Sequence, residues 1–100
     1  MKRTVWVFVS SDRGLPSGVF SDRGLAEAWI RKYALSGVLT EYPVDIGIYD
    51  WVIANGFWKP TMSSHETPRF IGRFTSAHLS HQHFENGECA TSNARGDGST

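Results

Sequence analysis

The chain has 100 residues, of which 40% are hydrophobic and 20% are charged, a balance typical of a globular protein. Ten Lys and Arg residues offset ten Asp and Glu residues, so the formal net charge is zero. Binding to nucleic acid or to an anionic membrane surface requires clustered cations. The composition therefore argues against both classes of partner.

The single cysteine, Cys89, cannot form an intramolecular disulfide, which favours a cytoplasmic protein. The apolar run that begins the chain is too short for the hydrophobic region of a signal peptide. No segment approaches the roughly 20 apolar residues that span a bilayer. We expect a soluble protein with no membrane partner.

Residues 4–9 are rich in β-branched and aromatic side chains and predict a central strand. Trp6 and Phe8 would face one side of this strand, and three valines would face the other. Residues 18–20 predict a brief second strand.

A helix is predicted next, with Ser21 as its N-cap and Gly37 as its left-handed stop. Phe20 and Leu25 occupy the staple positions at its start. Its apolar stripe is Leu25, Ala26, Trp29, Ile30 and Tyr33.

A third strand is predicted at residues 38–42, and Asp45 is the predicted N-cap of a second helix over residues 46–55. Residues 69–75 read as a further strand that pairs with a final strand at residues 78–84. These elements predict an α+β fold with about four strands, in a mostly antiparallel or mixed sheet, and two helices packed on it. We expect one compact domain over residues 1–86 and a disordered tail over residues 87–100.

Several short stretches together resemble a family of short bacterial domains of unknown function. They are Gly18-Val19-Phe20-Ser21, Ala26-Glu27-Ala28-Trp29-Ile30, Leu35-Ser36-Gly37, Thr40-Glu41, Gly47-Ile48 and Ile71-Gly72-Arg73-Phe74-Thr75-Ser76. Residues 42–51, which read Tyr-Pro-x-Asp-x-Gly-x-Tyr-Asp-Trp, are the most specific part. The resemblance covers most of residues 4–87 and implies a bacterial source and one compact domain. It implies no activity and no catalytic residue.

The predicted second helix and the residues that follow it are apolar on nearly every side. One interpretation is that the sheet and the loop at residues 59–67 cover both faces. The other is that part of this surface stays exposed and binds a partner, because Trp and Tyr dominate binding hot spots. The candidate interaction residues are Ile48, Trp51, Phe57, Trp58 and Lys59.

Two histidines near the end of the chain suggest a different function. In a strand, His81 and His83 would project from one face, with Glu85 as a third position on it. Two imidazoles at this spacing can share Zn²⁺ or Ni²⁺, although a protein zinc site normally needs three or four ligands. The alternative interpretation is a polar edge strand with solvated histidines.

No catalytic or cofactor motif stands out, and Asp50 has no partner acid or histidine at catalytic spacing. The sequence therefore predicts a small protein, not an enzyme and without a cofactor, that binds an unknown protein partner or a second copy of itself. A toxin antagonist or an accessory subunit would fit. The alternative is a zinc-binding or metal-sensing protein that uses His81 and His83. An enzyme with an unrecognised site is the third hypothesis.

Overall fold

The computed structural model describes residues 3–12 and 14–92. In chain order, their elements are β1 (Thr4–Ser10), β2 (Pro16–Phe20), α1 (Arg23–Lys32), β3 (Gly37–Pro43), α2 (Ile48–Ala54), a 3-10 helix (Ser63–Glu66), α3 (Pro68–Gly72), β4 (His81–Glu85) and β5 (Glu88–Ser92). The chain divides into two compact units. The sheet unit comprises the described residues of Met1–Val44 and Leu79–Thr100, and the helical unit is Asp45–His78. The predicted domain, residues 1–86, spans parts of both.

The sheet unit is built on five antiparallel strands in the order β2-β1-β3-β4-β5. The predicted α+β class and antiparallel pairing are confirmed. The predicted count of about four strands and two helices is wrong, since the described residues form five strands and three α-helices. At the β2 edge the register shifts between Phe8 and Val9, and Val9 pairs with Pro16.

One face of the sheet and α1 form the core. Trp6 and Phe8 of β1 are buried with Ala26 and Ile30 of α1, and Leu39 and Phe84 complete this cluster. The Trp29 ring meets the edge of the Phe8 ring, with centroids 5.8 Å apart. Burying each large side chain contributes roughly 1.5–3 kcal/mol. Because β1 pairs with β2 on one side and β3 on the other, the predicted central strand is confirmed. Helix α1 packs against one of its faces.

Both predicted ends of α1 need correction. Asp22, not Ser21, is the N-cap, and its carboxylate accepts a hydrogen bond from the Gly24 N–H. After the helix, Ala34 rather than Gly37 has the positive φ, at 53°. The C-terminal turn is closed by Leu35 N–H, which donates to the Ile30 carbonyl at 2.9 Å.

Gly37 instead begins β3, where it lies opposite Ser10 of β1. A Cβ at this position would meet the Val9 carbonyl oxygen and would lie 2.7 Å from the Phe8 ring. Glycine is required here by the close approach of two strands, because no side chain fits between them.

The predicted start of α2 is also wrong. The helix begins at Ile48 after Gly47, whose extended backbone serves as the N-cap. Asp45 has a φ of 70°, so it lies in the left-handed region that Asp tolerates better than most residues. An N-cap needs an extended backbone, which explains why Asp45 does not serve as one.

The strand predicted at residues 69–75 does not form: α3 occupies Pro68–Gly72, and residues 73–75 follow it without regular secondary structure. Thr67 caps α3, because its hydroxyl accepts a hydrogen bond from the Phe70 N–H at 3.2 Å. Pro68 stands at the first helical position, where its fixed φ suits a helix and its missing N–H costs nothing. The final strand therefore pairs with β3 and β5 rather than with this segment.

The predicted disordered tail begins inside a hairpin. Asn86 and Gly87 have φ values of 51° and 87° and form the two-residue turn between β4 and β5. Positive φ at both positions is the geometry of a type I′ turn, which Asn-Gly strongly favours. Glu88–Ser92 thus forms β5, and residues 93–100 lie outside the described residues.

We predict that Gly37→Ala lowers the free energy of unfolding by about 1–3 kcal/mol, because the new methyl group overpacks the β1–β3 contact. Urea denaturation followed by far-UV circular dichroism measures the change. Gly72→Ala is the matched control, since a Cβ there meets nothing within 4 Å. Equal urea midpoints for the two variants would contradict this account of Gly37.

Candidate interaction surface of the helical unit

Five aromatic rings of the helical unit pack on one another around Trp58. This aromatic cluster consists of Tyr49, Trp58, His65, Phe70 and Phe74. Trp58 lies 4.9 Å from Phe74 and 5.3 Å from His65, measured between ring centroids. Tyr49 meets Phe74 and Trp58 edge-on, at 5.6 Å and 5.8 Å. Such ring pairs add about 0.5–1.5 kcal/mol each beyond the area that they bury.

Local hydrogen bonds bring these rings together. The cap at Thr67 starts α3, which carries Phe70. After the helix ends at Gly72, the Phe74 N–H donates to the Ile71 carbonyl at 3.3 Å, and the Phe74 ring meets the Phe70 ring at 5.7 Å. The Thr61 N–H donates to Nδ1 of His65 at 3.2 Å, and this bond fixes the imidazole beside Phe70. The cluster is therefore the direct result of the α3 helix that the strand prediction missed.

A second set of rings consists of Trp51, Phe57 and His78, and we call it the Phe57 stack. Phe57 lies flat on the His78 imidazole, with centroids 4.3 Å apart and planes 4° from parallel. The Trp51 ring also contacts the Phe57 ring, with centroids 5.5 Å apart and the two planes tilted by 58°. The turn at Gly56, where φ is 72°, lets Phe57 N–H donate to the Val52 carbonyl and return the chain beside α2.

These rings are not enclosed. Among the residues of the helical unit, which are all described, Val52 is the only one that is buried. Trp51, Phe57 and Trp58 are each half-buried. Four aliphatic side chains of the unit are exposed: Ile46, Ile53, Met62 and Ile71. The helical unit thus keeps much of its apolar side-chain area in contact with water.

A groove of about 400 Å³ opens beside the aromatic cluster, between the 3-10 helix and α3. Its lining is Ser64, Thr67, Arg69, Phe70, Arg73 and Phe74. Arg69 and Arg73 are exposed and, within the described part of the chain, neither forms an ion pair. The groove therefore combines two aromatic rings with two positive charges and no carboxylate in its lining.

The surroundings of Tyr49 make its phenol less acidic. Partial burial raises the pKa of its phenol above the ordinary value of 10.0, and the Glu66 and Asp50 carboxylates raise it further. The phenol is therefore neutral at pH 7, and its O–H remains available as a hydrogen-bond donor at the edge of the cluster.

The two histidines predicted as metal ligands lie next to each other on β4. Their ring centroids are 5.5 Å apart, on the face opposite the buried Gln82 and Phe84. Nδ1 of His81 donates to the Leu79 carbonyl at 2.9 Å, so its Nε2 carries the free lone pair. Across the described residues, no group of three His, Cys, Asp or Glu side chains is arranged to hold a metal ion.

The residues predicted as one interaction patch take part in two sets of ring contacts. Trp51 and Phe57 belong to the Phe57 stack, Trp58 belongs to the aromatic cluster, and Ile48 is half-buried in α2. Lys59 is exposed beside Trp58. The residues that this prediction missed are His65, Phe70 and Phe74. The signal that reveals them is Thr67-Pro68, a helix start, followed by phenylalanines four residues apart.

The sequence matches the family called Domain of unknown function (DUF7710) over residues 5–90, and the chain belongs to that family. The resemblance to a short domain of unknown function is thereby confirmed. The match runs through both units and includes most of the β4–β5 hairpin. Comparisons with curated proteins and with solved structures gave no match. None of the helices in the described residues is both long enough and apolar enough to cross a membrane.

The raised pKa of Tyr49 predicts a loss of stability at alkaline pH. The folded protein holds the phenol proton more tightly than the unfolded chain does. This contribution is fully present below pH 10 and is lost as the pH rises above about 10. Tyr49→Phe removes it, so the free energy of unfolding of the variant falls less steeply between pH 9 and pH 11. Parallel urea-denaturation profiles for the variant and the wild type would contradict the prediction.

Proposed function

We propose that the protein is a binding module, not an enzyme, and that the helical unit carries the surface that recognises a partner protein. The observation that supports this proposal is the incomplete burial of Trp51, Phe57 and Trp58, in a unit that has a single buried residue and four exposed aliphatic side chains. Soluble monomers seldom leave a large contiguous apolar area in water, and such areas commonly mark sites of association.

The energetics of the helical unit favour the same interpretation. Folded units of fewer than about 40 residues rarely bury enough apolar surface to be stable without a disulfide, a metal or a partner chain. The rings of the aromatic cluster stabilise one another, which holds them in a fixed arrangement before a partner arrives. A rigid aromatic surface loses little side-chain entropy on binding, so more of the contact energy appears as affinity.

The identity of the partner is open to two broad proposals. One is a different protein, for which the module would act as a toxin antagonist or as an accessory subunit. The other is a second copy of the chain, which the formal net charge of zero would oppose only weakly. A bacterial source and a cytoplasmic location are parts of this proposal.

Capture from lysate of the native host tests the proposal. We expect Trp58→Ser and Phe57→Ser each to weaken retention of the partner by about 30-fold, which corresponds to loss of a roughly 2 kcal/mol hot spot. Leu25→Ser is the matched control, because Leu25 is 61% exposed but belongs to the sheet unit. Light scattering over a range of protein concentrations distinguishes a second copy from a different partner.

Circular dichroism of each variant shows whether the fold is retained. Unchanged capture and unchanged molecular mass for folded Trp58→Ser and Phe57→Ser variants would remove the helical unit as the binding surface.

A second candidate function is zinc binding by His81 and His83. What favours it is the hydrogen bond from His81 Nδ1–H to the Leu79 carbonyl, because histidine ligands of metals commonly donate their second N–H in this way. With two protein ligands, the metal would need further ligands from a partner or from water.

Isothermal titration with Zn²⁺ tests this candidate. We expect binding that His81→Ala and His83→Ala each weaken at least tenfold, whereas His78→Ala does not, since the His78 ring is stacked on Phe57 and lies within hydrogen-bond distance of the Ser76 hydroxyl. Binding weaker than micromolar, or binding that is indifferent to His81→Ala, would rule the candidate out.

A further inference from the structure

We infer that the groove between the 3-10 helix and α3 binds an acidic segment of the partner protein, in which two carboxylates precede an aromatic or aliphatic side chain. This inference rests on the proposed function and names the chemistry of the partner.

The two arginines of the groove supply the first reason. Arg69 lies in α3, Arg73 is the C-cap residue four positions later, and both line the groove. Two like charges at this spacing destabilise a helix by a few tenths of a kcal/mol. No carboxylate in the described chain relieves this repulsion through an ion pair, and a carboxylate pair from outside would do so.

The floor of the groove supplies the second reason. Phe70 and Phe74 are half-buried, and both contact Trp58 at 5.8 Å and 4.9 Å between ring centroids. Their exposed surfaces line the groove. An apolar side chain laid on them would be desolvated next to the arginines. The groove therefore offers a combined apolar and cationic environment, which suits an acidic segment with one apolar anchor.

The spacing of the charges suggests the form of the segment. Side chains four residues apart on a helix have Cβ atoms about 5–6 Å apart. In an extended peptide, alternate side chains point to the same side and are separated by roughly 6.6 Å. An extended segment with acidic residues at alternate positions, and an apolar residue two positions further, therefore matches Arg69, Arg73 and the phenylalanine floor.

The small number of positive charges in the groove favours a peptide over a nucleic acid as its ligand. Arginines and aromatic rings together occur in sites for single-stranded nucleic acid. Such sites follow a phosphate backbone with many cations, whereas the lining of this groove has two. The formal net charge of the chain is zero, which offers no long-range attraction for a polyanion.

The probe for the test is a fluorescein-labelled peptide, Gly-Ser-Asp-Ser-Asp-Ser-Phe-Ser-Gly, measured by fluorescence anisotropy with the full chain in 50 mM salt. A matched peptide carries Asn in place of both Asp residues. We expect the Asp peptide to bind at least tenfold more tightly than the Asn peptide. In 500 mM salt this preference should largely disappear, because salt screens the exposed charges.

Variants of the protein locate the binding. The double change Arg69→Glu with Arg73→Glu should abolish the preference for the Asp peptide and create a preference for a peptide with Lys at both positions. Arg31→Glu is the matched control, since Arg31 is exposed on α1 in the sheet unit, and it should leave the preference unchanged. The milder change Arg69→Lys with Arg73→Lys keeps the charges and should keep a reduced preference, even if the double Glu variant fails to fold.

The outcomes separate this inference from the proposed function. Absence of binding, equal binding of the Asp and Asn peptides, or an Asp preference that survives charge reversal would overturn the inference. Displacement of the Asp peptide by a lower concentration of a 20-residue oligothymidylate would also overturn it. If capture of the partner depends on Trp58 but not on Arg69 and Arg73, the proposed function stands and the inference falls.

Discussion

The helical unit depends most on the way in which its aromatic rings pack on one another. Trp58 contacts the other four rings of the aromatic cluster, and these rings come from α2, the 3-10 helix and the α3 segment. Without these contacts the short helices have little to hold them, because helices of five to seven residues are not stable alone in water. The same rings that organise the unit are also the ones that remain partly exposed.

The sheet unit is stabilised differently, by a buried hydrophobic core. Its strands and α1 bury Phe8, Ile30 and Leu39 almost completely, so its core resembles that of an ordinary small globular protein. The two units therefore differ in their interiors. The sheet unit has a buried core, although it also exposes Leu15, Val19, Leu25 and Tyr33. The helical unit, all of which is described, has one buried residue, Val52. The proposal that the helical unit recognises a partner rests on this lack of a core, which leaves its aromatic rings partly exposed.

A sequence pattern predicted the correct element where it fits one type of secondary structure much better than the other. Residues 4–9 form a short run of β-branched and aromatic residues, and the α1 region has a clear apolar stripe, so both elements were predictable. The segment at residues 69–75 failed because Phe70, Gly72 and Phe74 alternate like a strand, while Phe70 and Phe74 also share a helix face. The Thr67-Pro68 start decides for the helix. The aromatic cluster could not be predicted while that segment was read as a strand.

The β2 edge of the sheet has a consequence for assembly. An exposed edge strand offers unpaired backbone groups to which another polypeptide can add. Here Pro16 lacks an N–H, and the register shift between Phe8 and Val9 distorts the adjoining ladder. Continuous cross-β growth is obstructed along this border. One margin of the sheet thus resists fibre formation, in a molecule whose helical unit keeps aromatic rings partly in contact with water.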